Sequence, residues 1–241
     1  MDPILIVKTG TTLASLASEC GDFEDWIRAG MDLERNGAIT VSVFEGADLP
    51  DPRGFAGVVV TGSGAMVSHR EPWSERTARW LSEAVKHTTP VLGICYGHQL
   101  LAHALGGRVG PNPRGREIGT VRVQLASEAA NDALLAGFGA ELRVQTTHSE
   151  VVLELPEAAV RLAWSEVDPN SAFSLGPAAW GVQFHPEFDT NVMRRYIEER
   201  RELLVAEGID ADDRLDAVEG SADGTAVLRR FRKLLSSRAN T

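Results

Sequence analysis

Pro90-Val91-Leu92-Gly93-Ile94-Cys95-Tyr96-Gly97-His98-Gln99-Leu100-Leu101-Ala102-His103-Ala104-Leu105-Gly106-Gly107 joins a short apolar run to a helical pattern, with one glycine-flanked cysteine between them. The run at 91–94 is short and β-branched at two positions, which suits a buried parallel strand. Leu100, Leu101, Ala104 and Leu105 recur at helical spacing, and Gly106-Gly107 supplies the stop. With no loop between strand and helix, the chain must turn sharply at Cys95, and Gly93 and Gly97 remove side chains that would collide there. This is the nucleophile-elbow arrangement with sulfur in place of hydroxyl. Such a turn exposes the sulfur at the carboxyl edge of a sheet, and the helix aims its first free N–H groups at the same place. Thiolate is thereby favoured over thiol, and the Tyr96 N–H is offered to the oxygen of a tetrahedral intermediate. The alternative, a buried structural cysteine, would waste strand propensity on the flanking glycines.

At 241 residues the chain is long enough for one large domain and too short for two enzymatic domains of ordinary size. We expect a single domain over 1–241, with a core at about 1–207 and a helical tail at 208–241. A formal net charge of -10 argues against a nucleic-acid surface or an anionic membrane as partner. The N-terminus lacks a basic n-region, and no membrane-length apolar stretch follows, so a cytoplasmic location is expected. Cys20 and Cys95 are the two cysteines, and a reducing compartment argues against pairing them. The six histidines form no short-spaced ligand cluster, so neither a metal nor another cofactor is expected.

Upstream of the elbow, Ile4-Leu5-Ile6-Val7 reads as a central strand, expected beside the elbow strand. Asp22 is placed to cap a helix through Phe23, Trp26, Ile27 and Met31, and residues 39–44 read as a second strand. A third strand at 57–61 ends at Gly62-Ser63-Gly64. That small triplet makes the Ser63 N–H a second candidate oxyanion donor, although an ordinary tight turn accounts for the same residues. Pro72-Trp73 opens a further helix. The alternation predicts an α/β fold: a doubly wound, mostly parallel, flavodoxin-like sheet with its site at the carboxyl edge. Strand-like runs at 118–125, 142–146, 151–155 and 159–164 predict an antiparallel β extension covering one edge. A hairpin of 173–175 with 180–184 leads into His185-Pro186-Glu187. One helix is expected through Val192, Tyr196, Ile197 and Leu204, then an acidic stretch at 210–216 and a basic last helix, whose opposite charges face each other or solvent.

A cysteine nucleophile needs a base, and the base needs a carboxylate that fixes its tautomer. In extended backbone, residues two apart point the same way at roughly 6.5 Å, and Pro186 biases His185 toward that conformation. Glu187 is therefore placed to reach the far ring nitrogen of His185. The segments Gly93-Ile94-Cys95-Tyr96-Gly97-His98-Gln99 and Gly181-Val182-Gln183-Phe184-His185-Pro186-Glu187 resemble, in that order, the two motifs of the class I (triad) glutamine amidotransferases, most closely the glutaminase domain of GMP synthases and its stand-alone relatives. Arg116-Glu117-Ile118-Gly119 and Thr147-His148-Ser149-Glu150 resemble the family's intervening signatures, so the likeness spans roughly residues 39–190. The chain departs from the family where Thr61-Gly62-Ser63-Gly64 replaces two adjacent glycines and a proline.

The resemblance implies Cys95, His185 and Glu187 as catalytic residues, Tyr96 and Ser63 as oxyanion donors, and Gly62, Gln99, His148, Ser149 and Glu150 as residues that hold glutamine. The implied reaction hydrolyses the γ-amide of glutamine to glutamate and ammonia through a Cys95 glutamyl thioester. Residues 190–241 contain no glycine-rich ATP-pyrophosphatase loop, so a separate ammonia-accepting synthetase is the implied partner. Two rivals keep the fold: a γ-glutamyl peptidase or hydrolase acting on a γ-glutamyl peptide or conjugate, and a non-catalytic partner-binding protein. A homo-oligomer is compatible with all three.

Overall fold

The computed structural model describes residues 2–34 and 36–238. The first half alternates strands and helices: β1 (Ile4–Lys8), α1 (Ala14–Cys20), α2 (Phe23–Gly30), β2 (Ala38–Ser42), β3 (Gly57–Val60), α3 (Pro72–Lys86), β4 (Val91–Ile94) and α4 (Tyr96–Ala104). The middle is strand-rich: β5 (Arg108–Pro111), β6 (Glu117–Leu125), β7 (Glu141–His148), β8 (Glu150–Glu154), β9 (Ala159–Trp164), β10 (Ala172–Leu175) and β11 (Ala179–Val182). Four helices follow, α5 (Thr190–Glu199), α6 (Arg201–Ala206), α7 (Ala211–Asp216) and α8 (Ala222–Arg238). Among the described residues no helix is long and apolar enough to cross a membrane.

One nine-stranded sheet runs β2-β1-β3-β4-β11-β10-β9-β6-β7. Its first five strands are parallel, and the remaining four continue it antiparallel. This is the expected doubly wound sheet with its antiparallel extension. Residues of β1 alternate between two cores: Ile4 and Ile6 pack on the face with α2 and α8, Leu5 and Val7 on the face with α3 and α4. The period-2 alternation of a strand explains why a continuous apolar run is needed wherever both faces are covered.

Several local expectations are corrected. The strand at residues 4–7 does not lie beside the elbow strand, because β3 intervenes. β3 is buried along its whole length and needs a strand on each side, and β1 and β4 supply them. The second strand stops at Ser42, where its register with Lys8 ends, and Val43 turns into a 3-10 segment that buries its side chain. Residues 151–155 do not join the main sheet; β8 pairs with β5, a strand not anticipated, in a separate two-stranded sheet. The helix expected through Val192 and Leu204 breaks at Arg200, whose ψ of 9° ends α5 and starts α6. Of the two arrangements expected for the charges of the last segments, the structure shows the second: they lie at the solvent surface and do not face each other. Asp212 pairs with Arg201, whereas Arg229 reaches Asp32 and Arg232 donates to the carbonyls of Met31 and Asp32. The apolar face of α8 buries Val227, Leu228, Phe231 and Leu235 against the sheet.

The close approach expected around the elbow is present. A Cβ on Gly93 would lie 2.4 Å from the Gly97 carbonyl oxygen, and one on Gly97 would lie 2.4 Å from the Val60 carbonyl oxygen. Both obstacles are backbone, so no rotamer change relieves them. Gly97→Ala is expected to destabilise the fold by about 3 kcal/mol or more, since α4 must move off β3. Urea unfolding measures this, and wild-type stability would mean that α4 and β3 separate more easily than the packing implies.

Candidate active site

The elbow is built from backbone upward. Cys95 has φ 51° and ψ −103°, a combination that costs a side-chain-bearing residue free energy and persists only where its surroundings enforce it. Those surroundings are hydrogen bonds on both sides: Cys95 N–H donates to Val182 O at 2.9 Å, and Gly97 N–H donates to Thr61 O at 3.2 Å. The first ties the elbow to β11, the second to the end of β3. Cys95 is 6% exposed, and its Sγ lies 3.8 Å from the Thr147 carbonyl oxygen. Tyr96 N–H opens α4 without an intrahelical acceptor. The Tyr96 ring is fixed by stacking on Trp73 and by a 2.7 Å hydroxyl contact with Ser74, and burial pushes its phenol up to about 12.

His185 follows β11 directly, and its N–H donates to Gln145 O at 2.8 Å. Its Nδ1 lies 2.8 Å from Glu187 Oε1 in a pair almost without solvent exposure. The imidazole stacks on Phe188 at 4.0 Å, and Phe23 lies parallel to it at 6.0 Å. Phe23 is placed by the start of α2, where Asp22 accepts from Phe23 N–H and Asp25 accepts from Asp22 N–H. Burial alone would lower the pKa of His185. The facing charges of Glu187 and Cys95 outweigh it and push the imidazolium up to about 10. The second oxygen of Glu187, Oε2, is buried without a hydrogen-bond partner among the described residues.

Ser63, Gly64, Ala65 and Met66, from the loop after β3, form one wall of a pocket over Cys95. Thr147, His148, Ser149 and Glu150 form another, and Arg116 and Arg200 complete its rim. Ser63 Oγ accepts from Ala65 N–H at 3.1 Å, which folds the loop into a tight turn. Thr9 Oγ1 donates to the carbonyls of Thr61 and Gly62 and anchors the same loop from β1. Gly62 does not line the pocket; a Cβ there would lie 2.8 Å from His185 Cε1, so its smallness admits the imidazole.

Among the residues expected to hold substrate, several are already engaged with one another. Gln99 Nε2 donates to Glu150 O at 2.8 Å and to Gln183 Oε1 at 3.0 Å. His148 meets Glu150 O through Nδ1 and Glu117 Oε2 through Nε2. The Glu150 carboxylate accepts from Ser68 N–H at 3.3 Å, and Ser149 Oγ points to Met66 Sδ. Gln99, His148, Ser149 and Glu150 all line the pocket with Cys95. Of the other histidines, His98 is fully buried against Phe173, where burial pushes its pKa down to about 3. His103 pairs with Glu75. Among the described residues no group of histidine, cysteine and carboxylate side chains could hold a metal ion.

Sequence reasoning did not anticipate the ring stack of Phe23 and Phe188 on His185, nor Arg200 at the rim. A periodicity argument registers those residues only as helix positions. The site as a whole holds a thiol at a strained elbow, an imidazole in electrostatic contact with it, and a carboxylate behind the imidazole. That order of groups is competent for acyl transfer through a thioester.

A cysteine elbow on a doubly wound sheet, with a His-Pro-Glu segment just beyond the end of the adjacent strand, is an arrangement of α/β amidotransferases and hydrolases. This chain belongs to the class-I glutamine amidotransferase family, whose model matches residues 39–202. It is 37% identical over 138 residues to a glutamine-hydrolyzing GMP synthase of Porphyromonas gingivalis, covering 57% of this chain and 26% of that enzyme. The chain thus spans about a quarter of the length of the GMP synthase it matches. It is 29% identical over 170 residues to gamma-glutamyl peptidase 3 of Arabidopsis thaliana, covering 68% of each. The crystal structure of a glutamine amidotransferase from Thermotoga maritima superimposes over 100% of both chains with a TM-score of 0.75 and 26% identity.

Proposed function

We propose that this protein hydrolyses the γ-amide bond of a glutamyl substrate, glutamine being the simplest, through a covalent Cys95 thioester. The observation that carries the reading is the buried His185–Glu187 pair at 2.8 Å, in electrostatic contact with a cysteine held at φ 51°. Cys95 thiolate attacks the γ-carbonyl carbon, forming a C–S bond. Tyr96 N–H and Ser63 N–H receive the developing oxyanion. As the C–N bond breaks, the imidazolium of His185 gives its proton to the leaving nitrogen. Water then adds to the thioester with His185 as base, which releases glutamate and restores the thiolate–imidazolium pair. Glu187 holds the His185 tautomer and offsets the imidazolium charge. Gly62 makes room for the imidazole, while Gln99, His148, Ser149 and Glu150 shape the glutamyl side of the pocket. With glutamine as substrate the product is ammonia, and a separate synthetase is the partner that would consume it.

The test is direct. Purified protein incubated with glutamine and with γ-glutamyl dipeptides is expected to release glutamate, and release from none of them would overturn the reading. A glutamine-like electrophile is expected to alkylate Cys95 stoichiometrically, as mapped by peptide mass. Cys20 is exposed, at the end of α1. Preferential labelling of Cys20 would remove Cys95 from the mechanism.

A further inference from the structure

Of the charged side chains that line the Cys95 pocket, the Glu150 carboxylate has only the Ser68 N–H, and the two arginines differ in how they are held. Arg116 is held by both oxygens of Glu207, and His148 by Glu117. Arg200 lines the same pocket at the break between α5 and α6, yet it forms no ion pair among the described residues, and its Nη1 is buried without a hydrogen-bond partner. Its sequence neighbour Glu199 turns instead to Ser15 and Arg195. The guanidinium is not mobile surface charge. Its Cζ sits 4.5 Å from the centroid of the Tyr196 ring, and burial lowers its pKa. A partly desolvated cation with an unused donor costs free energy that an arriving anion recovers.

The position of that anion follows from the rings beneath Arg200. Tyr196 lies 5.0 Å from Phe188, and Phe188 lies 4.0 Å from His185. Arg200 is thus at the far end of a stack that leads to the imidazole. Glu150 and Gln99, which also line the pocket, are held to each other through Gln99 Nε2 and Glu150 O, and neither belongs to the ring stack. If His185 delivers its proton to the leaving nitrogen, the His185 flank receives the leaving group and the Glu150 flank receives the glutamyl half.

We propose that Arg200 selects γ-glutamyl substrates whose leaving amine carries a carboxylate, that is, short γ-glutamyl peptides, over substrates that release ammonia or a neutral amine. This rests on the thioester reading above and names its substrate class. The chemistry is unchanged: the C–N bond breaks, the His185 proton goes to the peptide nitrogen, and the peptide leaves with its carboxylate on Arg200.

The experiment compares γ-glutamylglycine and γ-glutamyl-alanylglycine with their C-terminal carboxamides, as the ratio of kcat/KM within each pair. Wild type is expected to favour the free carboxylate by about 10- to 100-fold in at least one pair, the range of a charge-assisted hydrogen bond in a sheltered site. Arg200→Gln is expected to bring that ratio to within about threefold of one, and Arg200→Lys to an intermediate value, since lysine keeps the charge without the fork. Wild-type ratios near one in both pairs would overturn the proposal. So would an Arg200→Gln variant that loses both members of a pair equally, because Arg200 would then serve the glutamyl half or the fold. If the enzyme turned over none of these compounds, the thioester reading would fail separately. Calorimetric binding of the same pairs to Cys95→Ala, with and without Arg200→Gln, would still decide whether Arg200 reads the carboxylate: a preference lost with Arg200 supports it, and no preference overturns it.

Discussion

Cys95→Ala is expected to remove glutamate release from any γ-glutamyl substrate, by on the order of 10⁴-fold or more, while the protein stays folded. The size follows from the chemistry: without the sulfur no thioester forms, and what remains is binding and oxyanion stabilisation. The fold survives because alanine keeps the Cβ and the backbone bonds from Cys95 N–H and Gly97 N–H are independent of the side chain. The companion change Cys95→Gly separates the two roles of this position. Glycine tolerates φ 51° without the steric cost, so Cys95→Gly is expected to melt higher than Cys95→Ala although both are inactive. Residual thioester-dependent turnover in Cys95→Ala would place the nucleophile elsewhere. A lower melting temperature for Cys95→Gly would mean that the elbow stores little strain.

Glu187→Gln should damage the chemical step more than substrate binding. The amide keeps the shape but no longer fixes the tautomer or offsets the imidazolium. In serine proteases with a Ser-His-Asp triad the analogous change costs on the order of 10⁴ in turnover. A thiolate is the better intrinsic nucleophile, so a loss of roughly 10- to 10³-fold is expected here. The pH profile carries a second signature. Glu187 is the largest influence raising the pKa of His185, ahead of Cys95. The proposed ion pair is lost when the imidazolium deprotonates, so the alkaline limb of the wild-type profile is expected at high pH. Removing the carboxylate lowers the His185 pKa and moves that alkaline limb toward neutrality. The same shift has a thermodynamic face. A histidine raised in the folded state contributes stability that is fully present below its unfolded value near 6.5 and fades as pH climbs toward about 10. Glu187→Gln is therefore expected to flatten the decline in stability across that window. Finally, the double variant with His185→Ala should be little worse than His185→Ala alone, because groups acting as one unit are not additive. Losses that multiplied independently would mean that Glu187 does not act through His185.

How much of this was legible depended on whether a feature is local. Val91–Ile94 and Tyr96–Ala104 could be read because a short apolar run, two glycines and a helical repeat are contiguous in sequence. The pairing of His185 with Glu187 could be read from their types and spacing, but its backbone could not: extended chain was expected, whereas residues 186–187 form a turn in which Phe188 N–H donates to His185 O at 3.3 Å. β5 could not: Arg108-Val109-Gly110-Pro111 has no alternation, and it becomes a strand only because β8 lies against it. α1 was equally silent, since Leu16 is its one buried side chain and no apolar stripe marks it. The placement of β3 between β1 and β4 is a property of the whole sheet, decided by which strands must be covered on both edges. The packing of Phe23 and Phe188 on the imidazole, and of Arg200 on Tyr196, joins elements far apart in the chain, and nothing in either local pattern announces the other.

The pairing of β4 with β11, Gly93 opposite Gly181 and Ile94 opposite Val182, also orders events in time. The elbow and the segment bearing His185 are separated by the whole antiparallel half of the chain, so their meeting is a contact of high sequence separation and its loop-closure cost falls late in folding. During synthesis, a chain that has delivered Cys95 but not yet residues 179–187 carries a cysteine with neither its imidazole nor the Val182 carbonyl that holds its backbone turned. On the proposed mechanism, thioester chemistry at Cys95 therefore waits until the nascent polypeptide has closed that loop and brought His185 to it.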